Sequence, residues 1–172
     1  ERQDEKAAQG KAHEQRLRKE GFTGYRVIPG GPLPPDPEGC SSILYLEPMD
    51  ERNQRAFGRD MWAEPTRRAA MARARDLGLP SLTGPVTLYQ EGGADVQAGV
   101  VLFVPVYAPG PDLHTVAERR RRLRGWASCP MRMADMMDGL PGASTVTGRV
   151  ALLDPAAVAP LLYHSGPGRA VA

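Results

Sequence analysis

Proline and glycine punctuate this chain so often that no regular element can run far. Nineteen glycines and 17 prolines fall within 172 residues. Glycine frees the backbone for turns, while proline fixes φ and removes a hydrogen-bond donor. The pattern predicts many short helices and strands joined by fixed turns. The segments GGPLPPDPEG at 30–39 and APGPD at 108–112 are the clearest such loops.

Length and charge narrow the classes. A chain of 172 residues suits one domain that buries roughly two-thirds of its unfolded surface. A net charge of +2 is nearly balanced, and a nucleic-acid binder usually carries a more basic surface. The longest apolar run, Ala98 to Ala108, is broken by Gly99 and Pro105 and falls short of a membrane span. The charged start, Glu1 to Lys6, does not read as a signal peptide.

Along the chain, residues 1 to 20 favour a solvated helix ended by Gly21. Tyr25 to Ile28 and Ser42 to Glu47 read as short strands, and Asp50 can cap a short helix carrying Asn53 and Ala56. Pro65 and Gly78 bracket a helix over 65–77. Its inward face is Ala70, Ala74 and Leu77, with Arg67, Arg68, Arg73 and Arg75 toward solvent. Residues 85–90 and 97–107 form a hairpin with a loose loop, and Pro105 places the end of the second strand at an edge. Then come a helix over 113–122, a strand over 124–129, a helix begun by Pro130, a strand over 148–153 and a helical tail. This order predicts an α+β domain with a mainly antiparallel sheet.

The stretch from Asn53 to Thr83 is the most telling for function. Asp60 stands in GRDM between small and apolar neighbours, a candidate polar anchor in a greasy pocket. The plainer reading is a structural acid that caps the Pro65 helix or pairs with Arg67 or Arg68. Alternation puts Val101, Phe103 and Pro105 on one face of the apolar strand and Leu102, Val104 and Val106 on the other. One face lines a pocket and the other backs onto helices. Leu102 and Phe103 are the candidates there, while Thr87 and Tyr89 share a face of the preceding strand and could offer hydroxyls.

Signals for chemistry are weak. His13, His114 and His164 are scattered, and Cys40 and Cys129 match no metal spacing. Cys129 is expected as a buried free thiol, a disulfide with Cys40 being the alternative. Met131, Met133, Met136 and Met137 read as core filler rather than a copper site. The arginines at 119–122 and Arg124 read as a solvated helix end suited to the helix dipole, not a polyanion patch. No catalytic residue, metal ligand or cofactor is assigned.

Four stretches in order carry a family likeness. They are ILYLEP from Ile43, the Asn53 to Thr83 segment with its GRDM and LT elements, GVVLFVPVY from Gly99, and LRGWASCPMRMADMMDGL from Leu123. Together they resemble the CHASE domain, the extracytoplasmic sensor module of membrane-bound histidine kinases and nucleotide cyclases. The resemblance implies a long membrane-proximal helix followed by PAS-like subdomains with curved antiparallel sheets and flanking helices. It divides the single domain 1–172 into a helical lead-in at 1–24, a PAS-like core at 25–155 and a tail at 156–172, with the family's long first helix missing.

By the same resemblance the function is small-molecule sensing by a periplasmic domain of an inner-membrane histidine kinase or diguanylate cyclase. The parent is expected to be a homodimer, with membrane contact only through the missing flanking segments. Plant members bind an adenine-type hormone, and their ligand-contacting positions fall on Asp60, Leu82 and Gly125. An adenine-like or other small planar metabolite is therefore the expected partner. Plant members carry a second glycine where Trp126 stands, and this ring is expected to fill part of the pocket. The alternative is a dimerisation or protein-contact module whose pocket is filled and takes no small ligand.

Overall fold

The computed structural model describes residues 12, 14–32, 40–92, 96–110, 113–139, 151–153 and 161–164. The chain divides into two compact units, Glu1–Glu64 and Pro65–Ala172.

In the first unit, helix α1 over 14–19 ends at Gly21, whose φ of 106° suits glycine. The helix anchors the chain that follows. Glu14 Oε1 accepts from the Val27 amide at 2.8 Å, and Arg18 Nε donates to the Tyr25 carbonyl at 3.1 Å. Residues 58–61 run between two flanking segments. The Asp60 amide donates to Ile28 O, while the Met61 amide donates to Ser41 O and Gly58 N to Ile43 O, each at 2.8 Å. Gly58 turns at φ 77°, and a Cβ there would lie 2.3 Å from Arg26 O. The two expected strands shrink to single bridges, Ile28 with Arg59 and Ser42 with Asp60. Their partner is too short for more. It is confined between the Gly58 turn and a 3-10 turn at Met61–Ala63. Asp50 caps α2 (Glu51–Gln54) as expected, accepting from the Asn53 amide at 2.7 Å.

The second unit opens with α3 (Pro65–Leu77), closed by Gly78 at φ 71°, so both brackets hold. Its stripe toward the sheet differs from the expected one. Ala70, Met71 and Ala74 are buried, but so are Arg67 and Arg75, and Leu77 is exposed. Arginine stems carry apolar area and flank the small residues at helical spacing, which places them over the sheet instead of in water. Arg67 shows how its charge is met. The guanidinium lies 4.1 Å from the Tyr89 ring centroid and donates to Thr87 O at 2.7 Å.

The sheet is built around β3 (Ala98–Tyr107). β4 (Leu123–Arg132) pairs antiparallel along one edge of β3, and β1 (Ser81–Leu82) and β2 (Val86–Thr87) share the other. Thr83 bridges the slip between β1 and β2. Its amide donates to Val101 O at 3.0 Å and its Oγ1 accepts from Val101 N at 2.9 Å. The expected hairpin of 85–90 with 97–107 is present as β2 and β3.

Pro130 does not start a helix. It pairs with Val101 inside β4, and α5 begins at Met133 and ends at Asp138. Val101 turns both its backbone polar groups toward Thr83, so the Pro130 position needs no donor toward β3. Pro105 follows the same rule. Its N–H would point past the end of β1, where the described chain offers no acceptor strand.

Helix α4 (Val116–Arg122) opens with a full capping box between Thr115 and Glu118. The arginine run is a solvated end only in part, with Arg120 and Arg121 exposed. Arg119 donates to Asp76 O and Leu113 O, each at 2.7 Å, and Arg122 donates to Ala108 O at 2.5 Å. Arg120 clasps Asp76 with two bonds of 2.9 and 2.6 Å. These bonds, with Arg75 beside the same carboxylate, hold the Asp76 carboxyl well below the usual range. The segment expected as a helical tail forms β6 (Leu161–His164), paired antiparallel with β5 (Ala151–Leu153). The expected strand residues 148–150 and tail residues 154–160 lie outside the described residues. The whole is an α+β arrangement with an open, curved antiparallel sheet, in keeping with a PAS-like fold.

Candidate functional site

Outside the irregularity between Val106 and Tyr107, register assigns the side chains of the sheet to faces. Cross-strand partners leave by the same side, and neighbours along a strand alternate. Val101, Phe103, Pro105 and Tyr107 share the α3 side with Ser81 and Trp126. Here Phe103 is wholly buried. Tyr107 donates its hydroxyl to Arg75 O at 2.6 Å, and Trp126 donates Nε1–H to Met71 O at 3.1 Å. This is the face that backs onto a helix. The Trp126 ring belongs to it, contrary to its expected place in the pocket, because its partner Pro105 points that way.

The other face carries Leu102, Val104 and Val106 of β3, with Leu82, Thr87, Gly125, Ala127 and Cys129 as their neighbours on flanking strands. Helix α5 covers one end, where Val100 packs with Met133 and Ala134. Beyond it the face stays open. Leu82 is 37% exposed, Val104 38% and Val106 46%. A Cβ added at Gly125 would meet nothing within 4 Å. The residues that the register places on this stretch carry no ionisable group except the Cys129 thiol, which is exposed rather than buried.

The candidates therefore separate. Leu82, Leu102, Thr87 and Gly125 gather on the open face. Phe103 does not, being core beneath α3. Tyr89 lies past the end of β2 under the Arg67 guanidinium, so it does not share a face with Thr87. Val104, Val106 and Ala127 join the open face without having been singled out. The alternation of β3 contained that signal, but the register of β4 was needed to use it.

Asp60 lies in the first unit, 8% exposed. Its Oδ1 accepts from the Ser41 amide at 2.8 Å and from the Trp62 amide at 3.0 Å. It therefore caps the short 3-10 turn, not the Pro65 helix. Oδ2 takes no hydrogen bond among the described residues. Close by, Tyr25 is fully buried, its hydroxyl bonded to Ser42 Oγ and its ring edge-on to Phe57. Burial pushes the Tyr25 hydroxyl up, against the lowering effect of the Ser42 bond.

The model of the CHASE domain matches residues 4–163 of the 172. Among curated proteins, none matches the chain.

Proposed function

The chain belongs to the CHASE domain family, and on that premise we propose that it is the small-molecule-sensing input domain of a membrane-bound histidine kinase or diguanylate cyclase. The family makes it an extracytoplasmic sensory domain of signalling proteins, and such a domain senses rather than catalyses. The finer reading rests on one observation, the open aliphatic face of the sheet bounded by α5 and floored by Gly125. Apolar walls with a few polar groups are what small-ligand sites need. Leu82, Leu102, Val104 and Val106 supply shape, Thr87 a hydroxyl, and Gly125 room for a flat ring. Asp60, which lies in the first unit, stands as a separate candidate contact, implied by the resemblance for an adenine-like or other planar ligand. The parent acts as a periplasmic-facing homodimer in this reading, and the ligand works by binding one arrangement of it better than another.

A thermal-shift screen of nucleobases and small metabolites tests the proposal. Hits should raise the melting temperature of the wild type and lose most of that effect in Val104→Glu, which plants a charge on the open face. Shifts that persist undiminished in a folded Val104→Glu protein sink the assignment to this face. Asp60→Asn, which keeps the capping oxygen, tests the separate candidate in the first unit, where purine-like hits that need Asp60 should lose their shift.

A further inference from the structure

Sulfur accumulates at one end of the open face. Cys129 and Met131 alternate along β4, so both side chains leave by the side shared with Leu102 and Val100. Met131, Met136 and Met137 pack against the Val100, Met133 and Ala134 cluster while remaining only partly buried. Core filling accounts for Met133, at 2% exposed. It does not account for a free, exposed thiol two positions from Met131 on the same face of β4.

The chemistry of that donor set is selective. Thioethers are neutral and polarisable, so they hold soft cations and ignore hard ones, and one thiolate supplies the charge. Among the described residues no group of three His, Cys, Asp or Glu could hold a harder ion. We propose that Cys129, with the thioethers of Met131, Met136 and Met137, forms a binding site for a soft monovalent metal ion of the Cu(I) class. Binding replaces the thiol proton with the metal and releases that proton to solvent, with no change of oxidation state. Cys129 sits opposite Leu102 in the ladder, so a bound ion lies beside the open face and gives an extracytoplasmic domain a second kind of stimulus. The site does not depend on the small-molecule reading.

The test is anaerobic titration of the reduced chain with Cu(I) against a chromogenic chelator, repeated with Ag(I) as a redox-inert probe. The chain should extract one equivalent, and X-ray absorption should show a sulfur-only first shell. Cys129→Ser, Met131→Leu and the double change Met136→Leu with Met137→Leu should each weaken binding by about tenfold or more, and Cys40→Ser should leave it unchanged. Methionine-to-leucine changes conserve volume and keep the fold, which circular dichroism verifies. Failure to extract an equivalent overturns the proposal. So does binding that needs Cys129 but ignores every methionine change, which is a bare thiol, or binding that needs Cys40.

Discussion

Asp60 gives one oxygen to two backbone amides, and that division of labour is open to measurement. Removing the side chain leaves the Ser41 and Trp62 amides without their acceptor. Asp60→Ala should therefore cost about 1–3 kcal/mol in urea unfolding. Asp60→Asn retains the acceptor and should cost clearly less. Equal losses in the two variants would mean that the charge, not the cap, sets the stability contribution. The sequence showed that Asp60 had a polar task in an apolar setting, because its neighbours are small and greasy. It could not show which amides it meets, since Ser41 lies 19 positions away. Leu82 and Gly125 were recognisable only through the family likeness, and Leu102 through the alternation of the apolar strand. Phe103 and Tyr89 were misplaced because alternation along one strand fixes which residues share a face, not which face a helix covers.

Among the elements, the best-read ones carried local punctuation. Pro65 and Gly78 delimit α3 by fixed φ at one end and positive φ at the other, and neither depends on distant partners. β4 was read short because proline usually ends a strand. Its register with Val101 makes the missing donor harmless, which only the pairing reveals. The clamp between α3 and α4 has a pH signature. Asp76 is held below its ordinary value of 3.8 by the Arg120 bonds and by Arg75. A carboxyl depressed in the folded state contributes its stability in full above the ordinary value and loses it as pH falls through the lowered one. Urea midpoints should fall below about pH 4 in the wild type, and Asp76→Asn should flatten that limb while lowering the midpoint at neutral pH. An unchanged acid limb in Asp76→Asn would remove the clamp from the account.

At the scale of the whole molecule, family membership and the α+β architecture agree, and the open face is where the two meet. The residues that register places on that face leave it neither sealed nor charged, which is what the proposed sensing role needs. Such a sheet also presents β4 as a long margin, since among the described residues that strand pairs only with β3. Unpaired strand margins are templates for foreign chains. Pro130 interrupts the row of outward donors at the end of the exposed run 127–130. Pro130→Thr should restore a continuous row and promote concentration-dependent self-association, visible by light scattering and thioflavin fluorescence, with the monomer fold retained. A variant that stays dispersed at high concentration would mean the margin is guarded elsewhere. The proline that disguised the strand in the sequence is thus expected to act as a stopper against fibre growth along a sheet that stays open.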